Sequence, residues 1–456
     1  MKKIVKLLVV LTMGISLIIG CFAVTGCKEK ESSAVGRFDL IREDFAKNKE
    51  KEDDEKGREH LEIPANADTI EIENETYCVV REFNDLDQKE YNYPDMPKLR
   101  SQRNYILAND IELICDGTEI VFCLWKKFEG RLDGNNYKIT SSEKNGGRKA
   151  LFEIIHEATI ENLVFSSSDG YVNSLTGHTG YSFIATNASN SVIKNCVNYF
   201  QHALKEEYRN STRYRVYWVY FNGFVRYIYD DSLIDNCINY GDIYESNGGI
   251  VFYANNSTIR SCKNYGNLVI RFGDLGGVVS RIYGDIIVED CENYGSIVSG
   301  GCGVGGIVGR VSHGYAFSSA SIYLDIESCP ADDYYTENQI VRNCKNYGDI
   351  YLLKEEGKKR IEETDHNEEK YCDSVRNTMY EFGGIAGSIT KVENCINEGN
   401  FYGFENMGKK IKVKFLGGVA GAAKEVTNCE NKGKIEVQKG RGEYVDNICG
   451  YYIGVK

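Results

Sequence analysis

Seven segments of the chain are near-copies: IKNCVNYF from Ile193, IDNCINYGDI from Ile234, IRSCKNYGNL from Ile259, VEDCENYGSI from Val288, VRNCKNYGDI from Val341, VENCINEGNF from Val392 and VTNCENKGKI from Val426. Self-similarity at this spacing marks a solenoid, in which each unit buries its apolar face only against its neighbours. Each copy opens on Ile or Val, places Cys three residues later and Asn two beyond it, and usually Gly two beyond that. Short β-branched strands separated by Gly or Asn corners are the sequence form of an all-β parallel β-helix.

Coiling then turns each repeat position into a column. The cysteines Cys196, Cys237, Cys262, Cys291, Cys344, Cys395 and Cys429 would stack about 4.8 Å apart. Parallel Cα–Cβ vectors cannot converge as a disulfide requires, so the column reads as buried thiols acting as small hydrophobes. The Asn column from Asn198 to Asn431 should form an amide ladder, each side chain bonded to the next copy. One residue further on stand Tyr199, Tyr240, Tyr265, Tyr294 and Tyr347. Alternation with the inward Asn points these rings outward. The residue after the first aliphatic runs Lys194, Asp235, Arg260, Glu289, Arg342, Glu393, alternating in sign at every step, which would hold successive coils in register.

A second block precedes most segments: Gly248-Gly249-Ile250-Val251, Gly276-Gly277-Val278-Val279, Gly305-Gly306-Ile307-Val308, Gly383-Gly384-Ile385-Ala386 and Gly417-Gly418-Val419-Ala420. Small residues ahead of an apolar pair let the chain turn a tight corner into a buried strand. A phosphate cradle is excluded, because no GxxxxGK[ST] occurs. Neither zinc nor another metal or cofactor is expected: there is no CxxC, and the six histidines are scattered.

The N-terminus reads as an export signal over residues 1–26, with Lys2, Lys3 and Lys6 ahead of the apolar run Leu7 to Gly20. Val24-Thr25-Gly26-Cys27 resembles a bacterial lipobox, which implies a lipid on Cys27; Cys21 is the weaker alternative. Residues 27–66 are charged and poor in apolar side chains, the composition of a solvated tether. Residues 67–103 are expected to cap the first coil, and 104–456 to form the helix, with insertions near 201–221, 312–340 and 354–380. The formal charge of −13 argues against nucleic acid and against anionic lipid surfaces beyond the anchor itself.

The GG[IV][VA]G and NCxNxG blocks together resemble the GLUG-motif family of right-handed parallel β-helix proteins, over about Tyr105 to Ile448. That resemblance implies a cell-surface setting and an adhesin-like, non-enzymatic binding or display module for a glycan or a surface protein, while the lipobox implies the lipid anchor that holds it facing the cell exterior. A monomer is expected. The ligand would lie on Tyr240, Tyr265, Tyr294 and Tyr347, walled by Tyr214, Arg215, Tyr217 and Trp218 of the first insertion. No catalytic residue is assigned. The alternative is a polysaccharide lyase or glycoside hydrolase, but hydrolysis needs two carboxylates about 5–9.5 Å apart. The repeat offers Asp242 and Asp349 at one position, three coils apart.

Overall fold

A computed structural model describes residues 59–86, 100–113, 125–141, 150–167, 182–200, 222–244, 246, 248–270, 273–301, 303–312, 335–352, 378–404, 412–440 and 442–454. All of them belong to one compact unit, Glu55–Lys354 with Arg360–Lys456. The expected signal, Cys27, most of the tether, the first insertion and most of the other two lie outside the described residues.

The described residues contain no α-helix. Their strands form four sheets, of eighteen, ten, five and five strands. One coil shows the path. Val251–Arg260 lies in the longest sheet, Lys263–Asn264 in the ten-stranded sheet, and Leu268–Ile270 and Leu275–Gly276 in the two smaller ones. The chain then returns as Val279–Glu289, parallel to Val251–Arg260, with Val279 beside Val251 and Glu289 beside Arg260. The ten-stranded sheet follows chain order without a crossover, one strand per coil. The main core runs along the stack from Val80 to Ile453, and a second small cluster of Tyr77, Val79 and Ile106 packs beside the N-terminal strands.

The repeat letters explain the corners. The residue before each ladder cysteine has positive φ, as at Asn195 (54°), Asn236 (50°), Ser261 (55°), Asp290 (55°) and Asn343 (54°). Asn and Asp tolerate this left-handed conformation better than other side chains with a Cβ. The turn carries the next residue inward, so Cys196 through Cys395 are buried. All seven ladder cysteines carry free thiols. The Asn column forms its ladder: Nδ2 of Asn239 donates to Oδ1 of Asn264, and Asn264, Asn293 and Asn346 each donate to the next, all at 2.7 Å. The second amide hydrogen goes to a carbonyl two residues on, such as that of Gly266 at 2.8 Å. Buried amides are tolerable because their hydrogens and acceptor oxygens are engaged in this way.

The two glycine-bearing motifs interlock. A Cβ on Gly277 would lie 2.6 Å from Cγ of Asn293, and one on Gly384 would lie 2.2 Å from Cγ of Asn397. The second glycine of the GG block is thus small because the ladder amide and the carbonyl of the corresponding glycine on the next coil together occupy its side-chain space. The fifth position has another reason. A Cβ on Gly387 would meet the backbone nitrogen of Val304 at 2.7 Å, and one on Gly421 the Phe382 nitrogen at 2.8 Å. There the longest sheet and the sheet holding Leu275–Gly276 touch backbone to backbone.

At the N-terminal end Thr69–Ile72 and Glu75–Val80 form an antiparallel hairpin, turned at Glu73 and Asn74 with positive φ. Its second strand pairs in parallel with Asn104–Leu107. The last stretch of the expected tether is fixed to this body. His60 Nδ1 lies 2.8 Å from the Asn135 carbonyl, its ring stacks on Tyr137 at 4.2 Å, and the Leu61 nitrogen donates to Asn135 Oδ1. Residues 378–380, expected in the third insertion, instead begin the strand Thr378–Gly383, and 339–340 begin Gln339–Arg342.

Candidate functional site

The outward tyrosines form one continuous rib. Ring centroids are 5.0 Å apart for Tyr199–Tyr240, 4.9 Å for Tyr240–Tyr265, and 4.6 Å for both Tyr265–Tyr294 and Tyr294–Tyr347. Neighbouring planes are within 4–14° of parallel. The spacing is that of the strands beneath. It has a consequence that alternation alone does not reveal: the ring faces are spent on one another, and the rib offers edges and hydroxyls outward. Stacking of a sugar ring against a row of open faces is therefore closed along the column. Tyr214, Arg215, Tyr217 and Trp218 lie outside the described residues.

Tyr294 is the most exposed ring of the rib, and its hydroxyl donates to Oε2 of Glu292 at 2.9 Å. The same oxygen is 3.0 Å from Nζ of Lys263 on the preceding coil. Burial would raise the Glu292 carboxyl, but the bonds from Lys263 and Tyr294 prevail and hold it below the usual carboxylate range. Burial first, and the hydrogen bond to Glu292 second, push the Tyr294 phenol above its ordinary value. The phenol is thus a neutral donor facing a carboxylate that stays ionised at neutral pH.

The alternating charge column also forms, as separate pairs. Lys194 bonds Glu161 at 2.8 Å, Arg260 bonds Asp235 at 2.8 Å, and Arg342 bonds Glu289 at 2.6 Å. The Arg260–Asp235 and Arg342–Glu289 pairs lie at the surface and set register more than they add stability, whereas Glu161 is buried.

A second polar cluster sits in the seam between the longest sheet and its backbone-contacting neighbour. Arg281 Nε donates to Asp274 Oδ2 at 2.5 Å, and Arg310 Nε lies 3.0 Å from Asp274 Oδ1. Asp274 is 1% exposed; burial opposes its charge, but the two guanidinium groups win and lower its carboxyl. Glu381, two rungs along the same strand position and 6% exposed, is pushed the other way by burial. Among the described residues its Oε2 has no hydrogen-bond partner. Opposed carboxyls can signal an acid and a base, but Asp274 is enclosed and held by two arginines, which suits a structural ion cluster. The sequence carried a signal for it: Asp274 and Glu381 both stand two residues before a GG pair, and Arg281 and Arg310 both stand four after one.

The carboxylates of the repeat are also occupied. Asp242 Oδ1 accepts the Asn267 backbone and side-chain nitrogens at 2.8 and 3.0 Å, and Asp349 does the same for Asn400 at 2.8 and 3.1 Å. Among the described residues, no group of three or more His, Cys, Asp or Glu side chains is placed to hold a metal ion.

No family model matches the chain. No curated protein matches it either. Among solved structures it is similar to a "putative immunoglobulin A1 protease" from Bacteroides ovatus, at 16% identity and a TM-score of 0.35, covering 59% of this chain and 77% of that one. A likeness at that score carries no argument about activity.

Proposed function

We propose that the chain is a non-enzymatic binding or display module, built as a right-handed parallel β-helix capped by the Thr69–Val80 hairpin. On this reading it is a member of the GLUG-motif group, held at the outer face of the cell membrane by a lipid on Cys27. The observation that carries the reading is the tyrosine rib: a rigid, outward row of hydroxyls and ring edges at 4.6–5.0 Å, with Lys263 and Glu292 beside it. Aromatic groups with a polar tip are suited to recognition surfaces. The partner is an extended glycan or a surface-protein strand that meets hydroxyls and edges.

An array of glycans and surface proteins, probed with the full chain, tests this. Replacing Tyr240, Tyr265 and Tyr294 together by Ser should abolish the binding found while the circular dichroism stays unchanged. Binding that survives would move the ligand off the rib. Incubation with a polysaccharide panel reads the alternative, since a released reducing or unsaturated end would identify an enzyme. For the anchor, Cys27→Ala should abolish incorporation of an alkyne fatty acid in cells; full labelling of that variant would sink the assignment.

A further inference from the structure

Three features of the rib meet at Tyr294. Its hydroxyl already contacts a proton acceptor, Glu292 Oε2 at 2.9 Å. That carboxylate is kept ionised by Lys263 at 3.0 Å. Parallel rings lie 4.6 Å away on both sides, Tyr265 at 8° and Tyr347 at 14°. A phenol gives up an electron most readily when its proton leaves at the same time to a base already in contact, and stacked π-systems share the resulting electron deficiency. We propose that Tyr294 is a site of one-electron oxidation at which two copies of the chain become joined through dityrosine.

The oxidant class is a haem peroxidase with hydrogen peroxide. Each Tyr294 passes one electron to the oxidised haem and its hydroxyl proton to Glu292, which releases it to water. Two phenoxyl radicals, one on each copy, then form a carbon–carbon bond between ring positions next to the oxygens. The hydrogen on each joined carbon returns to its oxygen and restores two phenols. One peroxide takes up the two electrons and two protons and leaves as two waters. Neighbours within a rib meet face to face, a geometry unsuited to joining ring edges, so the bond forms between copies.

The molecule contains its own controls. Tyr402, Tyr444 and Tyr452 are 43%, 42% and 41% exposed, against 38% for Tyr294. Among the described residues none of the three donates its hydroxyl to a carboxylate, so exposure alone would favour them.

The full chain should be treated with a haem peroxidase and limiting hydrogen peroxide, and the cross-linked peptides mapped by mass spectrometry. Dityrosine should concentrate at Tyr294. Tyr294→Phe keeps the stacked ring and should remove most of the covalent dimer. Glu292→Gln removes the proton acceptor and should slow dimer formation about tenfold, with unchanged circular dichroism. Cross-links spread evenly over Tyr402, Tyr444 and Tyr452, an undiminished rate in Glu292→Gln, or no dityrosine at all would each overturn the proposal.

Discussion

The two ends of the stack fill the same column differently. In the ten-stranded sheet the first rungs carry Ile111, Ile139 and Phe165, and the next rung, paired directly with Phe165, carries Asn198. Large rings fill the core up to and across that boundary: Phe128 stacks on Phe152 at 4.8 Å, while Phe165, Phe183, Phe200 and Phe224 cluster around it with centroids 5.6–6.4 Å apart. Above it the amide ladder takes over this column, while Phe382, Phe401, Phe404 and Phe415 stay buried elsewhere in the upper coils. Phenylalanines set the width of a coil by volume, which neighbours of other shapes can match. The amide ladder sets it by hydrogen bonds, which accept one residue type only. Repetition is therefore visible in the upper coils and faint in the lower ones, although both belong to one core.

That contrast can be tested by substitution. Asn264→Leu leaves the Asn239 amide, the Asn293 oxygen and the Gly266 carbonyl without the partners they have now. Each orphaned group costs about 1–3 kcal/mol, so the loss should be about 3 kcal/mol or more in a denaturant titration. A cost below about 1 kcal/mol would show that the ladder is not what fixes the upper coils.

Gly277→Ala comes next. Its Cβ would lie 2.1 Å from the Gly306 carbonyl oxygen and 2.6 Å from the Asn293 amide carbon, so a loss of about 2–3 kcal/mol is expected from overpacking. Ile139→Val, in the lower half of the ladder column, should cost only about 1 kcal/mol, because removal of a methylene leaves no polar group unpaired. If it costs as much as Asn264→Leu, the two halves are not built on different rules.

The smallest effect concerns the seam. Burial raises the Glu381 carboxyl in the fold, so the protonated form is the one the fold favours. Its contribution is fully present below the unfolded carboxyl value and is lost as pH rises through the folded one. Asp274, Arg310, Ser388 and Lys414 are the groups that face it among the described residues. Glu381→Gln should therefore stabilise the chain at neutral pH relative to the parent and lose that advantage in acid. An advantage that persists unchanged at low pH would mean that ionisation of Glu381 is not its source.

Much of this was legible in the letters. Columns follow from equal spacing, so the thiol file, the amide ladder and the alternating charges could be named residue by residue. The orientation of the tyrosine planes could not, since alternation decides inward against outward and says nothing of a ring's rotation. The Asp274–Arg281–Arg310 cluster was legible only in part: its offsets from the GG pairs recur in the letters, but the meeting of its side chains does not. Its members are set together by a corner between sheets, and no periodic pattern reports on a corner. The clash of Gly277 with Asn293 was likewise beyond reach, because the two residues belong to motifs that face each other only after the coil closes.

That closure has a mechanical consequence. Gly277 packs on Asn293 within one coil, while the amide bonds run from each coil to the next, so every upper coil is both shut on itself and fastened to its neighbour. A pulling force applied along the stack would have to free one coil before it could load the next. Single-molecule extension should then show the upper half unravelling in even steps of similar height, one per coil, and the lower half, which lacks the amide ladder, yielding in a single less regular event. A smooth, stepless release of the upper half would mean that its coils are not individually latched.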